Sequence, residues 1–280
     1  MHDQHLRAAG HRLLGDGLRA VEGERHAGNL SLRVAADQPD VVPAFSQVRR
    51  VGGFQLVSDI LNCVHDLNHK ATLLFDVDGT LIDSYPGIRE GFVRALNAIG
   101  HPVPDESFLK RIPGPPMRES MTNAGLDGDQ VERALEVYSD FMSGEGWQDF
   151  TVYKGMADLV AKLRGEGFGV VTATSKSEKF ASLALERAGI LKHVQFLGAA
   201  NVDAGRVTKI DVIRHVLDNV EVVNPLMIGD RMHDYEGAAE FGLDSVAVTW
   251  GYGDEDEWSR ATHVARDASE LEGIVRNHAH

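Results

Sequence analysis

Two carboxylates one residue apart, Asp76 and Asp78, close the apolar run Leu73-Leu74-Phe75 and are followed at once by Gly79 and Thr80. Apolar residues ending in acids read as a buried parallel strand whose carboxyl end delivers charge to a crevice, where open α/β sheets bind their ligands. Three more segments bring polar groups to the same predicted rim: Thr174-Ser175-Lys176, Lys209 at the start of a helical pattern, and Gly229-Asp230-Arg231-Met232-His233-Asp234. Carboxylates about 5 Å apart repel by roughly 3 kcal/mol per pair at an effective dielectric near 20, so Asp76, Asp78, Asp230 and Asp234 together call for a cation. Oxygen donors without sulfur suit Mg²⁺, which keeps waters and bridges to phosphate. Phosphoryl transfer needs a nucleophile in line, neutralised equatorial oxygens and a proton for the leaving group. Asp76 can attack to form an aspartyl phosphate, and Asp78 can protonate the leaving group and then deprotonate water. Thr174 offers a hydroxyl and, with the turn through Ser175, backbone N–H groups for phosphate, while Lys209 adds charge at a helix N-terminus.

The elements that must hold these groups follow from apolar patterning. Strands are expected at residues 72–76, 169–174, 194–197, 226–230 and 245–249, with helices at 156–164, 178–188 and 208–220 between them. In the last helix Ile210, Ile213, Leu217 and Val220 share one face. Such alternation predicts a doubly wound parallel sheet with crossover helices on both faces. Residues 85–153 interrupt it without strand patterning. Helices there are expected from Pro86 to Gly100 and over 105–111, 116–124 and 129–142, an all-helical cap above the site. The catalytic core then comprises residues 71–84 and 154–280.

In this order and spacing the four polar strings resemble the motifs of the haloacid dehalogenase superfamily over about residues 71–275. The helical insert, Gly114-Pro115-Pro116-Met117, Val152-Tyr153-Lys154-Gly155 and Trp250-Gly251-Tyr252-Gly253 are similar to its phosphoglycolate phosphatase-like and 5′-nucleotidase-like members. The resemblance implies a Rossmann-like core with a helical cap, Asp76 as nucleophile, Asp78 as acid and base, and Thr174 and Lys209 as phosphate ligands. It further implies Mg²⁺ held by Asp76, the Asp78 carbonyl and Asp230, with Asp234 supporting it directly or through water. Asp78 as the second acid aligns the chain with phosphate-transferring members rather than dehalogenases.

The expected activity is Mg²⁺-dependent hydrolysis of a small phosphomonoester, of the phosphoglycolate, nucleotide or sugar phosphate kind. The alternatives are a phosphomutase of the same superfamily, resembling β-phosphoglucomutase, and a binding or regulatory protein without catalysis. Two departures bear on substrate: Lys154 stands where relatives often have proline, and Ser139 follows Tyr138 where they often have arginine. Arg206 rivals Lys209 as the positive group three residues upstream. Lys176 reads as a surface residue near the pocket, His233 as a solvent-facing or supporting group, and Arg118 and Lys110 as solvated charges of the cap.

A net charge of −14 disfavours nucleic acid polymers and anionic membranes as partners. A lone Cys63 allows neither an intrachain disulfide nor a cysteine-built zinc site, and with no apolar stretch near the ~20 residues of a membrane span a cytoplasmic location is expected. Residues 1–70 are neutral, with 8 Lys/Arg against 8 Asp/Glu, and glycine-broken, so loose structure is expected there. The spacing of His2, His5, His11 and His26 fits no metal pattern. Because Met117 is the first methionine after Met1, the 1–70 extension could also reflect a start-site artefact, with translation beginning at a non-methionine codon near Val64.

Overall fold

The computed structural model describes residues 70–280; the expected extension, its histidines and Cys63 lie outside the described residues, apart from Lys70 itself. The described residues begin with β1 (Thr72–Phe75), then a two-residue strand β2 (Ile82–Asp83), and enter a helical segment of α1 (Tyr85–Ala98), α2 (Glu106–Leu109), α3 (Met117–Asn123) and α4 (Gly128–Gly144). The chain returns through β3 (Thr151–Val152), α5 (Met156–Gly165), β4 (Gly169–Ser177) and α6 (Glu178–Arg187). There follow β5 (Phe196–Ala200), α7 (Lys209–Asn219), β6 (Leu226–Gly229), α8 (Met232–Ala239), β7 (Asp244–Val248), α9 (Glu255–Trp258), β8 (His263–Ala265) and α10 (Ala268–His278).

Six strands form one sheet in the order β5-β4-β1-β6-β7-β8, every pair parallel. Alternation along β1 assigns the two faces, since successive side chains of a strand point to opposite sides. Leu73 and Phe75 pack with Leu159 and Leu163 of α5, Leu185 of α6 and Leu271 of α10. Leu74 packs with Val212, Ile213 and Val216 of α7 and Ala238 of α8. The sheet is thus sandwiched by helices, the α/β doubly wound arrangement that apolar patterning anticipates. β1 is central, so the acids that end it emerge in the middle of the carboxyl rim.

The segment between β2 and β3 has an apolar core of its own, in which Ile88, Phe92 and Leu96 of α1 meet Leu109, Met121, Val131 and Ala134. It is not helical to its end as expected: Thr151 pairs with Asp83 and Val152 with Ile82 in an antiparallel ribbon that ties together the chain's exit from the core and its return. Two residues are too few to leave a period-two signature. β8 escaped notice for a related reason, its three residues beginning with His263. β4 also outruns its expected end, continuing to Ser177 through a register shift between Thr174 and Ser177.

Candidate active site

The site is built where β1, β4, β6 and the start of α7 meet. The amide of Asp76 donates to Ile228 O, extending the ladder one residue beyond β1 and fixing the carboxyl against β6. The chain then turns sharply: Leu81 and Ile82 both donate to Val77 O, and Gly79 sits at φ +83°. A Cβ on Gly79 would stand 2.2 Å from Asp230 Oδ2, so glycine serves both the left-handed backbone and the close approach of that carboxylate. Gly229 serves the close approach alone: a Cβ there would lie 2.1 Å from Asp234 Oδ2.

Asp76, Asp230 and Asp234 are buried and offer oxygens all within 4.8 Å of one another. Lys209 enters this group from the first turn of α7, its Nζ donating to Asp76 Oδ1 at 2.8 Å and to Ala173 O at 2.8 Å. The same ammonium is 2.7 Å from Asp234 Oδ1, an ion pair without hydrogen-bond angles that leaves this buried oxygen short of a proper donor. Asp234 Oδ2 accepts from the amide of Arg231, and Asp230 Oδ2 accepts from the amide of Tyr252 at 2.7 Å. Thr80 Oγ1 reaches Asp230 Oδ1 at 3.4 Å.

Three carboxylates against one ammonium leave an excess of buried negative charge. Burial pushes Asp76 up to about 6, opposed by Lys209 and aided by Asp234 and Asp78. Burial raises Asp230 well above the ordinary carboxylate range, reinforced by Asp234 and Asp76. Burial works against the charge on Lys209, but Asp234 and Asp76 outweigh it and hold the ammonium above its usual range. A buried, oxygen-only, anion-rich set with an under-satisfied carboxylate oxygen fits a hard divalent cation such as Mg²⁺.

Asp78 stands apart from this trio. Its Oδ1 accepts from Ser84 Oγ at 2.5 Å and from Lys176 Nζ at 2.9 Å, with the second oxygen 3.2 Å from the same ammonium. Lys176 is therefore not the surface residue its motif suggests: its side chain is 7 % exposed and committed to Asp78. The register shift at the end of β4 turns Lys176 inward. Thr174 is buried, its hydroxyl accepting from the amide of Lys176, and Ser175 lines the same cavity as Asp76 and Asp78. Arg206, the rival to Lys209, is occupied elsewhere by Glu178 and Ala199 O. Half-buried His233 lines a small recess beside Lys209, Arg118 is forked onto Glu132, and Lys110 is exposed.

Several contributors were invisible without the fold. Ser84 lies between β2 and α1, the hinge position where core gives way to cap, yet its hydroxyl donates to Asp78. Tyr252 donates from its hydroxyl to Asp83 and accepts there from the amides of Ser84 and Tyr85, while its own amide holds Asp230. Trp250 Nε1 donates to Thr80 O. Arg231 pairs with Glu257 and reaches the carbonyls of Arg111 and Pro113 in the cap. The family-like string Trp250-Gly251-Tyr252-Gly253 marked two of these residues without revealing what they touch.

Fold and rim chemistry define a family, and the chain belongs to it: residues 73–248 match the haloacid dehalogenase-like hydrolases. Among curated relatives, Tyrosine-protein kinase PtkA of Mycobacterium tuberculosis is 41% identical over 200 residues, 69% of this chain and 68% of that protein. A 5′-nucleotidase of Pseudomonas aeruginosa is 33% identical over 74% of this chain and 96% of its own. The crystal structure of a predicted phosphatase from Clostridium acetobutylicum superposes with a TM-score of 0.70 at 31% identity, covering 75% of this chain and 100% of its own. The chain is thus an enzyme of the haloacid dehalogenase-like hydrolase family, whose relatives and neighbours here carry the names of phosphatases, a nucleotidase and a tyrosine kinase.

Proposed function

We propose that the protein is a Mg²⁺-dependent phosphomonoester hydrolase working through an aspartyl phosphate on Asp76. The observation that carries this reading is the convergence of Asp76, Lys209 and the Asp230–Asp234 pair at the end of β1, beside Thr174 and Asp78. Asp76, Asp230 and Asp234 would hold Mg²⁺ with the Asp78 carbonyl, and the cation when bound would neutralise phosphate charge and keep Asp76 ionised.

Asp76 attacks phosphorus as the bond to the leaving oxygen breaks, and that oxygen takes its proton from Asp78. Asp78, now a carboxylate, removes a proton from water as the water oxygen attacks phosphorus, and the bond to Asp76 breaks to release phosphate. Lys209, Thr174 and the amides through Ser175 bind the equatorial oxygens. Lys176 pairs with Asp78 before phosphate arrives. On binding, Lys176 would exchange Asp78 for a phosphate oxygen and Asp78 would take up a proton from solvent, the protonated state that the proton drawn from water restores at the end of each cycle. A phosphate-release screen over small phosphomonoesters with and without Mg²⁺ tests the reading: release should require both the cation and Asp76. Near-equal release by the wild type and Asp76→Asn would refute it.

A second reading is favoured by one comparison, the 41% identity to a protein named as a tyrosine kinase. The phosphoryl group on Asp76 would then pass to an acceptor hydroxyl instead of water, as it also would in a phosphomutase. Label leaving Asp76 without matching free phosphate would decide for transfer.

A further inference from the structure

The space in front of Asp76 and Asp78 is a cavity of about 710 Å³ between the cap and the sheet rim. That size is in the roughly 300–1,000 Å³ range of sites that enclose drug-sized ligands, far more than a two-carbon leaving group requires. Its cap side is formed by Ile88, Met117, Leu135, Tyr138 and Met142, and Phe180 approaches from α6. Beyond the reacting end the surface is therefore apolar and aromatic.

Charge in the walls reinforces this. Of the lining cations among the described residues, Arg118 is forked onto Glu132 and Lys176 is held by Asp78. Lys179 is exposed at the edge, where its ammonium donates to Ser143 Oγ and lies over the Phe180 ring. A second carboxylate on a substrate would meet only this one lysine, whose charge is screened by solvent. Base edges would fare little better, because the one side-chain amide among the lining residues, Asn201, already donates to Glu178 and accepts from the amide of Ala204. Polar substrate groups buried without partners cost affinity, whereas a ring buried against methionine and aromatic side chains gains it.

We propose that this cavity selects phosphomonoesters with a bulky apolar leaving group, an aryl group fitting best, over carboxylated or nucleoside phosphates. The proposal deepens the phosphatase reading and rests on it for turnover, but selection by the cavity is separable from hydrolysis. The test compares kcat/KM of the full-length protein with Mg²⁺ for 1-naphthyl phosphate, 2-phosphoglycolate and AMP. Calorimetric binding of phenylphosphonate and phosphonoacetate is measured in parallel. We expect naphthyl phosphate to lead by about tenfold or more, the scale on which apolar pockets discriminate, and phenylphosphonate to bind tighter than phosphonoacetate. Ser139 is exposed and lines the cavity, so Ser139→Arg adds a cation without disturbing the cap core, and the ratio should shift toward phosphoglycolate by about tenfold. A wild-type preference for phosphoglycolate or AMP, or a ratio unmoved by Ser139→Arg, would overturn the proposal. Tight phenylphosphonate binding with no release from any ester would instead uphold the selectivity and contradict hydrolysis.

Discussion

Lys209 is the residue on which the buried charge balances. It contacts Asp76, Asp234 and a backbone carbonyl at once, so Lys209→Met removes the sole ammonium paired with the Asp76–Asp230–Asp234 cluster among the described residues. Breaking a buried pair from one side costs about 3–5 kcal/mol, and we expect a thermal melt to show destabilisation of that order in metal-free protein, with phosphate release lost as well. Asp76 gives the same balance a pH signature. With a folded pKa of about 6 against an ordinary 3.8, the native state binds a proton that the unfolded chain has released, so stability falls as pH rises through about 4 to 6. The loss is complete above that window. Mg²⁺ binds the ionised carboxylates and offsets it, so Mg²⁺ should raise the melting temperature more at pH 7.5 than at pH 5. An equal rise at both would argue against ionisation of this cluster as the source of the strain. Asp76 and Asp230 were legible in sequence because each follows an apolar strand, and Asp234 through its place in the string that Asp230 opens. The commitment of Lys176 to Asp78 was not, because it depends on a register shift that no periodicity encodes.

At the level of elements, the junction between core and cap is the most specific construction. Helix α1 lacks a side-chain cap at Ser84, whose hydroxyl is spent on Asp78. Its first free amides are taken by the hydroxyl of Tyr252 at 2.9 and 3.1 Å, a tertiary substitute for the usual N-cap. Tyr252→Phe keeps the ring and strands the Ser84 amide, while the Tyr85 amide keeps Asp83 Oδ1; the change should cost about 1–3 kcal/mol and speed amide exchange at Ser84. Because the Tyr252 amide also holds Asp230, kcat should fall with KM; protection and kinetics both unchanged would show that the hydroxyl does not brace the hinge. The helices of the cap were readable from their apolar faces, and Ile88, Phe92 and Leu96 do bury together. The β2–β3 ribbon and the reach of Tyr252 across 168 residues depend on contacts that local patterning does not express.

Across the whole molecule, an acidic chain concentrates a lysine pair and an acid trio at one rim, and the parallel sheet explains how. Three segments distant in sequence end at neighbouring strands because β1 lies between β4 and β6, and the start of α7 adds Lys209 beside them. That convergence is what the alternating strand and helix pattern foretold, and it is why the reaction class could be read before the fold was known. Substrate choice was not readable, since it resides in a cavity whose walls come from α1, α4, α6 and the loop before α3. No helix among the described residues is long and apolar enough to cross a membrane. The central claim is covalent: a phosphoryl group bonded to Asp76. Rapid acid quench during turnover of a ³²P-labelled ester, followed by peptide mapping, should recover acid-stable, alkali-labile label on the peptide containing Asp76 and none from Asp76→Asn. Turnover with no labelled protein, or label persisting in Asp76→Asn, would contradict it.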